Sequence, residues 1–113
     1  MAGSAVDEIE RVVKDHAVVL FMKGTPLVPS CGLSAAAIRI LERRKIAFEP
    51  VDVSRDAALL QALVDHSGWP TVPQLFAHGR LVAGIDLLRL LDEHNELEQA
   101  LAPPGGAPAL PAS

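Results

Sequence analysis

The only cysteine of the chain, Cys31, lies in a loop of residues 23–34 that is rich in glycine and proline. An apolar run typical of a buried strand precedes the loop at residues 17–21, and good helix formers follow it at residues 33–41. Cys31 is therefore predicted at a strand-loop-helix junction, where free N–H groups and the helix dipole lower the pKa of a thiol. This position favours a reactive thiolate.

A lone cysteine also has a simpler interpretation, because free cysteines are most often small buried apolar side chains. One cysteine cannot form an internal disulfide, which is consistent with a reducing compartment, and we expect a cytoplasmic protein. The histidines do not have metal-ligand spacing with the cysteine; they are His16, His66, His78 and His94.

The composition argues against several classes of partner. The 113 residues include 10 basic and 14 acidic side chains, and aromatic residues make up only 4% of the chain. Neither a basic stripe nor a set of base-stacking side chains is present, so we expect no nucleic-acid partner. The first apolar run is too short for a secretory signal or a membrane span, so we expect no membrane association.

Hydrophobic periodicity and turn residues predict one domain over residues 1–101, followed by a disordered tail at residues 102–113. The predicted order is one helix and then β-α-β-α-β-β-α, with two parallel strands joined to a hairpin at His78 and Gly79. The predicted fold is α/β and thioredoxin-like, a mixed four-stranded sheet with helices on both faces. Helices are predicted at residues 5–15 and 32–44, and strands at residues 17–21, 47–53, 74–77 and 80–83. A third helix is predicted after the capping residues 54–56, ending near residues 67–68, a fourth begins at residues 84–86, and a short helical turn follows at residues 96–101.

Two details of this prediction concern particular side chains. In the helix at residues 32–44, Leu33 is expected on the inward stripe, and three arginines are expected to point away from the core; they are Arg39, Arg43 and Arg44. The strand at residues 47–53 is expected at an edge of the sheet, since Pro50 cannot donate a ladder hydrogen bond.

Four segments, in this order and spacing, resemble the monothiol glutaredoxin family over residues 6–101. They are VVLFMKGTP at 18–26, CGLS at 31–34, WPTVPQL at 69–75 and GID at 84–86. The resemblance implies a thioredoxin-like fold and glutathione as bound cofactor. It further implies a 2Fe-2S cluster shared by a homodimer, in which each protomer supplies one cysteine and one glutathione thiolate.

The resemblance also implies roles for particular residues. Cys31 would be the reactive thiol and the metal ligand, and Lys23 would pair with a glutathione carboxylate. Backbone pairing with glutathione would fall to Thr71, Val72 and a cis Pro73. The other end of glutathione would be held at a helix N-terminus by Gly84, Ile85 and Asp86.

The sequence departs from the family pattern at four positions, one of which is Ala83 in place of a frequent glycine. Leu33 stands where the family motif CGFS has phenylalanine, and we expect it to keep the bulk and the burial of that ring. Ile85 replaces a common second cysteine, so a disulfide to that position is impossible. Leu60 occupies the position of a common arginine, and losing its charge-assisted contact should weaken glutathione binding by roughly 1.5 to 3 kcal/mol.

Three functions remain in competition. As a carrier, the protein would accept a 2Fe-2S cluster and pass it to apo iron-sulfur recipient proteins, with a BolA-like protein as a further partner. As an enzyme, it would reduce glutathione mixed disulfides, with glutathione resolving the intermediate. As a drifted binding module, it would have lost both activities. Ser34 in place of a second active-site cysteine and the long TPLVP segment favour the carrier.

Overall fold

The computed structural model describes residues 4–103, and nearly all of the predicted tail lies outside that range. The predicted order of helices and strands is confirmed. No helix within residues 4–103 is long and apolar enough to cross a membrane. The elements are α1 (Ser4–Asp15), β1 (Val18–Met22), α2 (Gly32–Arg43), β2 (Glu49–Asp52), α3 (Ala57–Ser67), β3 (Gln74–Ala77), β4 (Arg80–Ala83), α4 (Ile85–Glu93) and α5 (Leu97–Ala100).

The four strands form one mixed sheet in the order β2-β1-β3-β4. Strand β1 runs parallel to β2 and antiparallel to β3, and β3 and β4 form a hairpin. His78 and Gly79 close this hairpin with positive φ angles of 53° and 81°, the conformation that tight hairpin turns require. The predicted thioredoxin-like arrangement is therefore confirmed, including the position of β2 at an edge.

The alternation of β1 divides the core into two apolar clusters, one on each face of the sheet. Leu20 and Met22 pack with residues of α2, α4 and α5. Val19 and Phe21 pack on the opposite face with residues of α1 and α3, and the Phe21 ring meets the Phe76 ring edge-on at a centroid distance of 5.2 Å. Because β1 is buried on both faces, its carboxyl end fixes the position at which the loop carrying Cys31 begins.

Strand β2 is shorter than the predicted strand at residues 47–53. A single 3-10 turn, Val53–Arg55, follows it directly, and sequence analysis did not predict this turn. The Asp52 carboxylate accepts a hydrogen bond of 2.9 Å from the Ser54 N–H and so caps the turn. The chain then enters α3, whose first turn is capped by Asp56 and whose end is Gly68 with φ of 71°.

The prediction that Leu33 faces the core is wrong, since 45% of Leu33 is exposed. The buried stripe of α2 instead starts one residue later, at Ser34, and continues through Ala37 and Leu41. These positions are three and four residues apart, so they share one face of the helix, while Leu33 lies beside that face. A polar residue, Ser34, therefore takes the inward position directly after the cysteine loop.

The prediction that Arg44 points away from the core is also wrong. Its guanidinium pairs with the Asp92 carboxylate, donates to the Asp92 carbonyl at 2.6 Å, and reaches Asn95 Oδ1 at 2.9 Å and Glu98 Oε1 at 3.1 Å. The hydrogen bond from Arg44 lowers the pKa of Asp92 and keeps its carboxylate charged. Arg44 thus joins the C-terminal end of α2 to the C-terminal end of α4 and the first turn of α5.

We expect Arg44→Ala to lower the melting temperature by several degrees, because it leaves Asp92 and the Asp92 carbonyl without their principal donor. Arg39→Ala, on the exposed side of the same helix, is the matched control and should change the melting temperature little. Thermal unfolding followed by circular dichroism measures both. Equal melting temperatures for the two variants would contradict the role given to Arg44.

Candidate functional site

Cys31 is the N-cap residue of α2. Its backbone is extended, with φ of −149° and ψ of 148°, and its Sγ accepts a hydrogen bond of 3.3 Å from the N–H of Ser34. This is the contact that serine or aspartate oxygens make at other helix starts, where the first N–H groups have no partner within the helix. The predicted strand-loop-helix placement of Cys31 is confirmed, and its thiol is partly exposed.

The Ser34 hydroxyl links the cysteine to the start of the loop. Ser34 is fully buried, and its Oγ accepts a hydrogen bond of 3.2 Å from the backbone N–H of Lys23. The same Oγ lies 3.4 Å from Cys31 Sγ. The Ser34 oxygen accepts the hydrogen bond from Lys23 N–H through a lone pair, so its own O–H can still donate a hydrogen bond to a Cys31 thiolate.

These contacts lower the pKa of the Cys31 thiol. Partial burial raises the pKa of the Cys31 thiol, but hydrogen bonds from the Ser34 hydroxyl and from the N–H groups of Ser34 and Leu33 lower it, as does the positive charge of Lys23. The lowering contributions together outweigh burial, so the pKa of Cys31 lies below its ordinary value. The site therefore favours a thiolate, which is the nucleophilic and metal-binding form of cysteine.

The loop before Cys31 folds back on itself. Lys23 C=O accepts a hydrogen bond of 3.0 Å from Ser30 N–H, and Val28 C=O accepts one of 3.1 Å from Thr25 N–H. Gly24 has φ of 88°, and a Cβ there would lie 2.5 Å from the Val28 carbonyl oxygen, so only glycine fits. Leu27, at the tip of the loop, is 94% exposed.

Asp52 fastens this loop to the edge strand. Its Oδ1 accepts a hydrogen bond of 3.0 Å from the N–H of Gly24, in addition to the bonds it accepts from Ser54. The Ser54 hydroxyl is the main group that lowers the pKa of Asp52, and the Gly24 and Ser54 N–H groups and Arg55 lower it further against an opposing effect of burial. The Asp52 carboxylate therefore connects the Cys31 loop, at Gly24, to the 3-10 turn, at Ser54.

A second loop, residues 69–73, connects α3 to β3. The Val72-Pro73 peptide bond is cis, the isomer that the family resemblance implies. Neither the N–H nor the C=O of Val72 has a hydrogen-bond partner within residues 4–103. Gln74 donates from Nε2 to the carbonyls of Trp69 and Thr71, a contact that sequence analysis missed because Gln74 looked only like the first residue of a strand.

The third part of the site is the start of α4. Gly84 is its N-cap and makes no side-chain capping bond, so the first N–H groups of the helix lack a capping side chain. A Cβ at Gly84 would lie 3.3 Å from Trp69 Nε1, so the helix start and the second loop are in close approach. An open cavity of about 360 Å³ lies here, lined by Trp69, Thr71, Leu81, Val82, Ala83, Gly84, Ile85, Asp86 and Leu87.

The structure thus brings the predicted site residues into two groups. Cys31 and Lys23 are joined through Ser34, while Thr71, Gly84, Ile85 and Asp86 line the cavity. Leu60 does not line that cavity; it is partly buried against the apolar cluster beneath α1 and α3. Within residues 4–103, no group of three or more histidine, cysteine, aspartate or glutamate side chains is placed to hold a metal ion.

The chain matches the family model described as glutaredoxin over residues 18–82. A relative named as an uncharacterized monothiol glutaredoxin, ycf64-like, from Synechocystis sp. is 40% identical over 93 residues, which cover 82% of this chain and 87% of the relative. The chain belongs to the monothiol glutaredoxins.

Two further comparisons agree with this assignment. A probable monothiol glutaredoxin 2 from Rickettsia conorii is 43% identical over 93 residues, covering 82% of this chain and 87% of that protein. The solution structure of reduced poplar apo GrxS14 superimposes with a TM-score of 0.75 at 36% identity and covers 88% of this chain and 95% of that one. The family predicted from the four sequence segments is confirmed.

We expect Ser34→Ala to raise the pKa of Cys31, because the variant removes the hydroxyl that donates to the thiolate. Alkylation of Cys31 by iodoacetamide should become severalfold slower near neutral pH, and its pH profile should move to higher pH. Ser30→Ala, which changes an exposed serine in the preceding loop, is the matched control. An unchanged pH profile in Ser34→Ala would show that the hydroxyl does not stabilise the thiolate.

Asp52 should make stability depend on pH in the acid range. Because the folded-state pKa of Asp52 is lowered, its contribution to the free energy of unfolding is complete above the ordinary carboxyl value of about 3.9 and is lost as the pH falls through the folded-state pKa. We therefore expect Asp52→Asn to be less stable than the wild type near neutral pH, and the difference to shrink below about pH 4.

Thermal unfolding of both proteins at a series of pH values measures this difference. Asp7→Asn, on the exposed surface of α1, controls for the loss of one negative charge. A difference between Asp52→Asn and the wild type that stays constant down to the lowest pH would contradict the role of the carboxylate.

Proposed function

We propose that this monothiol glutaredoxin binds glutathione and carries a 2Fe-2S cluster between proteins as a cluster-bridged homodimer. One observation carries the proposal: the single cysteine is a partly exposed helix N-cap whose contacts lower the pKa of its thiol, and within residues 4–103 no group of three or more histidine, cysteine, aspartate or glutamate side chains is placed to hold a metal ion. The protein therefore has one strong metal ligand at an accessible edge of the fold. A cargo that needs more thiolates must recruit them from outside the protomer.

The donor set fits a shared 2Fe-2S cargo. Such a cluster is held by four thiolates, and one chain of this sequence supplies one. Two protomers and two glutathione molecules make up the full number without any other residue. Since glutathione is exchangeable, two of the four ligands can leave when the cluster moves to a recipient.

Two parts of the site, the cis-proline loop and the start of α4, support glutathione as the small thiol. The unpaired N–H and C=O of Val72, between Thr71 and the cis Pro73, can pair with the backbone of an extended peptide. The open helix start at Gly84, with Ile85 and Asp86 in its first turn, lies across the cavity and suits a carboxylate.

The loop lysine, Lys23, is exposed and can pair with a second carboxylate of glutathione. The arginine that many family members have is Leu60 here, and this apolar side chain offers no such contact. We therefore propose a glutathione site that is weaker than the family pattern implies, but that keeps its backbone and helix contacts.

As a carrier, the protein would pass its cluster to apo iron-sulfur proteins. A BolA-like protein would be a further partner, replacing one protomer of the dimer. A single cysteine that must remain reduced requires a reducing compartment, of which the cytoplasm is one.

A second candidate function rests on the same stabilised thiolate. Cys31 would attack the glutathione sulfur of a protein-glutathione disulfide, releasing the protein thiolate and forming a Cys31-glutathione disulfide. A second glutathione would then attack that bond, returning the Cys31 thiolate and producing oxidised glutathione. Ser34 in place of a second cysteine means that the glutathione must come from solution.

The test is anaerobic reconstitution with iron, sulfide and glutathione, followed by visible absorption and by the mass of the protein in solution. We expect a coloured dimer from the wild type, and a colourless monomer from Cys31→Ser or when glutathione is omitted. A colourless monomer from the wild type under the full conditions would contradict the carrier. Turnover of a glutathionylated peptide by that same sample would then support the reductase.

A further inference from the structure

Gln74 is fully buried at the first position of β3, although it is polar. Its Nε2 uses both of its hydrogens, donating to Trp69 C=O at 2.9 Å and to Thr71 C=O at 3.0 Å. Its Oε1 is buried and has no hydrogen-bond partner within residues 4–103. An unpartnered buried oxygen destabilises a fold, so an apolar side chain of the same size would suit the core better.

The loop at residues 69–73, which Gln74 contacts, has few hydrogen bonds of its own to fix its conformation. Pro70 and Pro73 have no N–H group, and residues 69–73 make no hydrogen bond between backbone groups. The Ser67 hydroxyl also contacts the start of the loop, accepting a hydrogen bond of 3.1 Å from Trp69 N–H and lying 3.4 Å from the Trp69 carbonyl oxygen. Gln74 therefore donates to the Thr71 carbonyl, which directly precedes Val72, and connects it to the Trp69 carbonyl at the start of the loop.

We propose that Gln74 is a positioning residue that orders the Trp69 to Thr71 segment so that the unpaired backbone of Val72 is presented to an extended thiol peptide. This inference rests on the proposed glutathione site and adds a residue to it. Gln74 does not touch the ligand, because its side chain is wholly buried. Gln74 affects the ligand site by ordering the loop. The amide that supplies the two donors also leaves a buried oxygen, Oε1, without a hydrogen-bond partner.

The chain offers a direct probe of this loop, since Trp69 is its only tryptophan and is about half exposed. In Gln74→Met, which keeps the length of the side chain and removes both donors, we expect lower fluorescence anisotropy of Trp69 and stronger quenching by acrylamide. The affinity for glutathione, measured by calorimetry, should fall severalfold. The melting temperature and the pH profile of Cys31 alkylation should stay close to wild type, because the Cys31 contacts lie in the other loop.

Gln61→Met is the matched control, because Gln61 is exposed on α3 and its amide donates to Asp65 Oδ1 on the same helix. If Gln74→Met does not fold, Gln74→Asn replaces it, since its shorter side chain keeps the amide but cannot reach both carbonyls. A folded variant with wild-type Trp69 anisotropy and wild-type glutathione affinity would overturn the inference. A fall in melting temperature together with a shifted Cys31 profile would also overturn it, by showing a general structural role.

The design separates this inference from the proposed function. If the wild type does not bind glutathione, the proposed function fails, and the Trp69 measurements alone decide the role of Gln74 in ordering the loop. If the wild type binds glutathione and the variant binds it equally well with a loosened Trp69, the loop is ordered by Gln74 but the inference that this order serves the ligand is overturned.

Discussion

The hydrogen bonds that Cys31 Sγ makes with Ser34 are the constraint on which the site depends. They exist because the sulfur is the N-cap of α2, where the backbone N–H of Ser34 has no other partner. The Ser34 side chain is held in this position because it is buried and its Oγ accepts a hydrogen bond from the Lys23 backbone N–H. The strand, the loop and the helix therefore meet in one short chain of hydrogen bonds that ends at the thiolate.

The rest of the fold keeps this junction and the other two parts of the site in place by side chains that lie some distance from the sulfur. Asp52 holds the first loop at Gly24, and Gln74 holds the second loop at Trp69 and Thr71. Arg44 joins the far ends of α2 and α4, the two helices whose N-termini face the site. Each of these contacts is long-range in sequence or spans a proline-rich segment, where local backbone bonds are absent.

Sequence reasoning succeeded where the physics is local. Alternation in β1, the breakers between residues 23 and 34, and the capping residues around α3 fix the element order and place Cys31 at a helix start. It failed for Leu33 and Arg44, because helical periodicity gives the direction of a face only to within about one residue, and because the partners of Arg44 come from distant α4 and α5.

The functional part of the site divides in the same way. Sequence reasoning placed Cys31 at a helix start, and the family resemblance implied the cis Val72-Pro73 bond, both of which the structure has. The ligand contacts of Lys23 and of the residues around the cis proline stay predictions. The hydroxyl of Ser34 and the amide of Gln74 were not foreseen as contacts, because each depends on the pairing of two loops in three dimensions. Polar residues buried beside a site are what a linear pattern describes least well.

The central claim is that the fold itself, without any ligand, lowers the pKa of the Cys31 thiol. The most direct measurement is a pH titration of the wild-type protein, following the ultraviolet absorption of the thiolate, with Cys31→Ser as the blank. The account predicts a single titration with its midpoint below the ordinary pKa of cysteine. A midpoint at or above the ordinary value would contradict it, since burial would then outweigh the hydrogen bonds at the start of α2.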